Sequence, residues 1–389
     1  MTPFEQTIAI LERLVAFPTV SSDSNLDLIA YASGVLESAG ARVMVSQDTS
    51  GTKANLLATF GPDAQGGVVL SGHTDVVPAE ASDWSSDPFR LREENGLFFG
   101  RGTCDMKGFI ATVLAMAPSF GQLDLIRPLH VALTYDEEVG CLGGQQLVEE
   151  IHQAGLRPSV AIIGEPTCMR AIEGHKGCYE YTTCFHGTDG HGSEPDKGVN
   201  AIHFASQFIG RLLELGEDLK HRMQDTSNRF SPSWTTVQVG RIEGGSARNV
   251  IAKHCEVEWE MRPIRPEDGD WIKSNLDAFC RDELLPRMQA AAPMSQITTE
   301  IIGEVRGLEV ADQNEARDMV TALTGNTDCD VVAFGTEAGL FQSLGMSVVV
   351  CGPGSIAQAH QPDEYVSKDQ LEDCLNMLSG LSGHLTRPA

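Results

Sequence analysis

Short, continuous runs of valine, isoleucine and leucine, each beside a segment of helical periodicity, leave this chain few architectures. Residues 68–71, 129–135, 160–163 and 347–351 are apolar with little alternation. Strands of that kind have no wet face, which points to a sheet covered by helices on both sides, as in a mainly parallel α/β domain. The neighbouring segments supply the helices: residues 4–16, 24–39 with Gly40 suited to its C-terminal cap, 106–117, 144–150 and a last one near 368–385. Residues 42–45 and 55–60 add extended segments, and 331–334 reads as a further core strand.

The middle of the chain follows another pattern. Residues 178–186, 234–242 and 250–261 alternate apolar with polar, so each strand there keeps one wet face. Helical patterns near 198–215 and 270–283 separate them, and 296–302 supplies a fourth strand. The order βαββαβ is the ferredoxin-like arrangement. The expected organisation is an α/β domain in two parts, 1–175 and 305–389, with an α+β domain inserted at 176–304. A length of 389 residues and an apolar fraction of 41% suit two globular cores.

Charge narrows the partners. A net charge of −26 argues against nucleic acid and anionic membranes, because phosphate binding depends on Lys and Arg. Residues 4–16 carry Glu5, Glu12 and Arg13 among their apolar positions, which makes an amphipathic helix rather than a signal peptide. No apolar run approaches bilayer length. The 10 cysteines include no CxxC pair, so they read as reduced, mostly buried residues, and the cytoplasm is the expected location.

In open α/β sheets, ligands bind beyond the C-terminal ends of the strands. The run 68–71 leads into His73 and Asp75, 129–135 into Asp136, Glu137 and Glu138, and 160–163 into Glu165. The run 347–351 leads into a Gly/Pro loop holding His360, and Asp105 precedes the helix at 106–117. Taken singly, each has an ordinary explanation: a helix cap for Asp105, a surface turn for Glu165, a hydrogen-bonded pair for His73 and Asp75. Jointly they offer imidazole and carboxylate ligands and no thiolate. That donor set suits Zn²⁺, Co²⁺ or Mn²⁺ better than Ca²⁺, and it exceeds the need of one tetrahedral ion, so a pair of ions is expected.

The segments SGHTDVVP, GRGTCDMKG, TYDEEVG, IIGEP and AHQPDEY resemble the successive motifs of the acetylornithine deacetylase / succinyl-diaminopimelate desuccinylase / carboxypeptidase family of dizinc hydrolases. The resemblance spans almost the whole chain. AIIGEPT, HKG, KGVNAI, FGTEAGLFQ and GPGSIAQAHQPDEY bring it nearest to the acetylornithine deacetylase branch. It implies that Asp105 bridges two metals, His73 and Glu165 complete one site, and Glu138 and His360 the other. Glu137 would be the general base and Asp75 would orient His73, with Asp136 a positioning residue. The inserted domain would act as a lid and carry a homodimer interface, with His191 reaching the partner's active site to stabilise the oxyanion. Arg262 and Asn249 would hold substrate carboxylates. Gly335, Thr336 and Gly354 lie in loops expected to bind substrate, and Glu337 is a candidate partner for a substrate ammonium by charge alone, with a helix N-cap or a surface position as the equal alternatives.

The implied activity is amide hydrolysis of N-acyl amino acids, N2-acetyl-L-ornithine first, giving L-ornithine and acetate, with two zinc ions and cobalt as the alternative. Desuccinylase, aminoacylase and dipeptidase activities remain open within the same fold. A non-catalytic metal-binding protein is the more distant reading, and Glu137 argues against it, since a purely structural site has no use for a spare base.

Overall fold

The computed structural model describes residues 1–222 and 228–387. Contacts divide the chain into two units: Met1–Gly174 with Val310–Asp330 and Thr336–Ala389, and His175–Glu309 with Val331–Gly335. In chain order the elements begin with α1 (Pro3–Val15), α2 (Leu26–Ser38), β1 (Arg42–Gln47), β2 (Ala54–Phe60), β3 (Val68–His73), β4 (Arg92–Glu94) and β5 (Leu97–Phe99). They continue with α3 (Lys107–Phe120), β6 (Leu129–Thr134), α4 (Leu142–Gln153), β7 (Val160–Pro166), β8 (Ala171–His175), β9 (Cys178–His186), α5 (Ala201–Leu219), β10 (Thr236–Gly244) and β11 (His254–Arg262). The rest are α6 (Pro266–Phe279), α7 (Leu285–Ala291), β12 (Gln296–Val305), α8 (Glu315–Thr324), β13 (Cys329–Val332), α9 (Ala338–Ser343), β14 (Ser347–Gly352), β15 (Tyr365–Ser367), α10 (Lys368–Gly380) and α11 (Ser382–Leu385).

The first unit is built on an eight-stranded sheet of order β1-β2-β6-β3-β7-β14-β8-β13. Its four central strands, β6, β3, β7 and β14, run parallel, while β2 joins β6 antiparallel and β1 in turn joins β2 antiparallel. Every residue of β3, β6 and β7 is buried, as continuous apolar runs require. Burying each Val, Ile or Leu of this kind contributes about 1.5–3 kcal/mol. Helices α3 and α8 pack on the sheet, with α1, α2 and α10 against α3, while α4 and α9 form a separate contacting pair on strands of the same sheet. α3 is buried at every position from Lys107 to Ala117. It approaches β7 where Gly164 leaves room: a Cβ there would stand 2.1 Å from the Phe109 ring.

The second unit is a four-stranded antiparallel sheet of order β10-β11-β9-β12, the ferredoxin-like pairing of its βαββαβ sequence. Tyr179, Tyr181 and Phe185 of β9 and Cys255, Val257, Trp259 and Met261 of β11 share a core with α5 and α6. The intervening residues of both strands are half-buried or exposed, as alternation demands. Asn200 sets the start of α5 by accepting the Ile202 N–H.

Two expectations change. Residues 331–334 are not a core strand: β13 ends at Val332, has the sheet's outermost place, and no residue in it is fully buried. An edge strand has only one neighbour, and apolar content alone does not distinguish it from a central one. The strand expected from residue 250 begins at His254, because Ile251 N–H goes to the Gly190 carbonyl and the Ala252 carbonyl accepts from Ala201.

Candidate metal centre

The ends of β3, β6 and β7, the loop before α3 and the loop after β14 bring seven of the expected side chains together in the first unit. His73 closes β3, and its Nε2 lies 2.9 Å from Asp105 Oδ1 and 3.6 Å from Glu165 Oε1. The other oxygen of Asp105, Oδ2, lies 3.4 Å from His360 Nε2, and Glu138 Oε2 is 3.1 Å from that same nitrogen. Asp105 therefore turns one oxygen to each imidazole, as a bridging carboxylate must. His73, Asp105 and Glu138 place ligand atoms within 4.8 Å of one another, and so do His73, Glu137 and Glu165.

The supports explain why these groups stand where they do. His73 Nδ1 faces the Asp75 main-chain carbonyl at 3.0 Å, while the Asp75 carboxylate is 3.6 Å from it. That carboxylate accepts N–H bonds from Glu137 at 3.0 Å and Glu138 at 3.3 Å, and the Ser21 hydroxyl at 2.7 Å. Asp75 thus aligns His73 mainly through its backbone and holds the acidic loop with its side chain. Asp136 sits in a left-handed conformation at that bend and pairs with Lys53, which keeps it away from the two imidazoles.

A carboxylate that sequence reasoning passed over organises the Asp105 loop. Glu364, 1% exposed, accepts from the N–H of Cys104 at 2.8 Å and Asp105 at 3.0 Å through one oxygen. Its other oxygen accepts from Gly102 N–H at 2.9 Å and from Arg101 at 2.7 Å. It lies four residues after His360, so one loop supplies both a candidate ligand and the brace for Asp105. Cys141 is a second missed contact: its thiol reaches Glu137 Oε1 at 3.5 Å.

The electrostatics call for cations. Burial opposes charge on His73, yet Glu165 and Asp105 beside it raise its pKa well above the ordinary value. Contacts with Asp105 and Glu138 hold His360 up at about 10. Burial, reinforced by neighbouring carboxylates, pushes Glu137 and Glu165 well above the usual carboxylate range. Glu165 Oε1 is buried with no hydrogen-bond partner. An orphaned carboxylate oxygen facing a His is costly unless a cation meets it. Four clustered carboxylates, Asp105, Glu137, Glu138 and Glu165, would be balanced in charge by two divalent ions. The donors present thus fit a dinuclear centre of hard-to-borderline divalent metals.

The sequence profile of Peptidase family M20/M25/M40 matches residues 69–383, the span that contains every one of these candidate ligands. The chain belongs to that family. It is 35% identical over 378 residues, 95% of each chain, to a curated acetylornithine deacetylase of Pasteurella multocida (strain Pm70). Among solved structures it is similar to a tripeptidase of Staphylococcus aureus (TM-score 0.72, 16% identity, 99% of both chains). It is also similar to an M20 family metallo-carboxypeptidase of Sulfolobus solfataricus (TM-score 0.72, 17% identity, 97% and 98% of the two chains). Human carnosine dipeptidase 1 follows at a TM-score of 0.68 and 17% identity, covering 98% of this chain and 97% of that one. This M20 chain is a metal-dependent amidohydrolase.

The expected substrate-binding residues fall in several settings. Glu337, the candidate partner for a substrate ammonium, stands at the N-cap position of α9. It is 1% exposed, and its oxygens accept from the Ser71 hydroxyl at 2.5 Å and the Thr134 hydroxyl at 2.9 Å. Thr336 is equally buried, and its hydroxyl accepts from Ala338 N–H at the start of α9. Gly354 has a φ of +89°, and a Cβ there would meet Cys104 Sγ at 2.6 Å, so glycine is required for backbone geometry. At Gly335 a Cβ would meet only ordinary contacts. In the second unit, His191 is exposed with Nδ1 2.7 Å from the Ser193 hydroxyl, and Asn249 is exposed. The Arg262 guanidinium donates to Glu260 at 2.7 and 3.0 Å. Among the described residues no helix is long and apolar enough to cross a membrane.

Proposed function

We propose that this M20 hydrolase removes the acyl group of N-acyl amino acids, with N2-acetyl-L-ornithine and water giving L-ornithine and acetate, a step of arginine biosynthesis in the cytoplasm. The observation that carries this reading is 35% identity across 95% of both chains to a protein named acetylornithine deacetylase. Glu137 supports it: the carboxylate lies among the ligands, yet Asp105, Glu138, Glu165, His73 and His360 already supply two sites without it.

Two divalent cations held by those five residues, zinc first and cobalt as the alternative, would supply Lewis acidity and a water of lowered pKa. Glu137 takes a proton from the attacking water and returns it to the nitrogen of the leaving amine. Asp75 keeps Glu137 and Glu138 in register by accepting both of their N–H groups. To the same proposal belong the ferredoxin-like unit as lid and homodimer interface and His191 as a donor to the oxyanion in the partner's site. Arg262 and Asn249 would receive substrate carboxylate, with Gly335 and Gly354 as main-chain contacts. Arg262 would have to share its guanidinium with Glu260.

The test is steady-state kinetics on N2-acetyl-ornithine, N-succinyl-diaminopimelate and dipeptides, after chelation and return of zinc or cobalt. The highest kcat/KM is expected for acetylornithine. Equal or better turnover of another member of the panel would replace the substrate and leave the hydrolase standing.

A further inference from the structure

A second set of side chains, in the four-stranded sheet, has the composition and spacing of a transition-metal site. Cys184 and His186 are two apart on β9 and therefore project from one face. On β11, His254 is the register partner of His186, and Glu256 that of Cys184. The four form a square on the sheet. Between them, Phe185 and Cys255 point the other way, into the core with α5 and α6.

The geometry is close to what coordination needs. Ligand atoms of Cys184, His186 and His254 lie within 4.8 Å of one another. The two imidazole centroids are 5.0 Å apart, and Cys184 Sγ is 3.9 Å from Glu256 Oε2. The other Glu256 oxygen faces Arg241 at 3.5 Å, which leaves Oε2 on the side of the thiol. Cys184 is half-buried and both histidines are exposed, so an ion can enter from solvent and rotamer changes can close the remaining distance.

We propose that Cys184, His186 and His254 bind one divalent transition ion of the zinc class, with Glu256 or water as the fourth ligand. Thiolate and imidazole together select zinc, cobalt or copper over magnesium and calcium. Binding displaces the thiol proton to solvent as the sulfur–metal bond forms. The ladder fixes the spacing, because cross-strand partners stand about 4.5–5.5 Å apart at Cβ. The site differs in kind from the catalytic centre, whose five ligands include no sulfur.

The experiment is a cobalt titration of the full chain after two equivalents of zinc have filled the catalytic centre. One further equivalent should bind, with the near-ultraviolet charge-transfer absorption of a cobalt thiolate. C184S should remove that absorption and the extra equivalent, and H254A should weaken the extra binding more than about tenfold. Both variants should keep the kcat of the parent. E137Q should lose turnover and keep the absorption, which separates this site from the catalytic reading. Absence of the absorption in the parent chain, or its survival in both C184S and H254A, would overturn the proposal.

Discussion

The two ligand clusters sit on two sheets and are positioned by opposite means. In the eight-stranded sheet the ligands hang on loops beyond parallel strands, and buried carboxylates tie those loops down: Asp75 holds residues 137 and 138, and Glu364 holds residues 101 to 105. In the four-stranded sheet the ligands stand on the strands themselves, and register alone sets their spacing. In the first cluster His73, Asp105 and Glu165 are buried, His360 is exposed, and Glu165 carries an orphaned carboxylate oxygen, so the cluster is unbalanced without cations. The second is open to water and tolerates being empty. A loop-built site needs a supporting shell and gains catalytic geometry from it, whereas a ladder-built site needs none and gains only binding.

The sharpest way to break that contrast is Glu137→Gln. With ligands and supports untouched, kcat should fall by about 10²–10⁴, the usual worth of a positioned general base, while metal content by elemental analysis stays at the parental value. Retained turnover would mean that Glu137 is a ligand or a bystander. Next comes Glu364→Gln, which meets Asp105 only at its main-chain N–H and touches no side chain of the metal set. If Glu364 braces Asp105 through the main chain, metal affinity or kcat should drop by about 10–100-fold, comparable to losses on changing groups that orient ligands. A purely structural Glu364 would lower the melting temperature and leave both unchanged.

These two predictions also mark where the sequence could be read and where it could not. His73, Asp105, Glu137, Glu138, Glu165 and His360 were visible because each follows an apolar run or precedes a helix, and the C-terminal ends of parallel strands share one edge. Glu364 lies within AHQPDEY, yet its partners lie about 260 residues earlier in the chain, and no local pattern announces that return. The burial of Glu337 was out of reach for a related reason: a polar loop residue looks exposed until its hydroxyl partners, here on β3 and β6, are known. The edge position of β13 was hidden because apolar content does not tell an edge strand from a central one. The alternation of β9 and β11 was plain in sequence. Which residue of one faces which residue of the other was not, so the square formed by Cys184, His186, His254 and Glu256 emerged only with the register.

The smallest expected effect compares the two units through acid stability. His130 in the first unit and His175 in the second are each pushed down to about 4, in both cases mainly by burial. Folding thus favours the neutral ring, while the unfolded chain protonates near 6.5. Each histidine's contribution is complete above about pH 6.5 and is lost progressively as pH falls towards 4, by at most a few kcal/mol. His130→Gln should flatten the decline in melting temperature between pH 7 and 5 for the first unit, and His175→Gln for the second. Calorimetry that resolves two transitions would show each substitution acting on one of them. If both variants retained the parental pH dependence, burial of these rings would not be what limits either unit in acid.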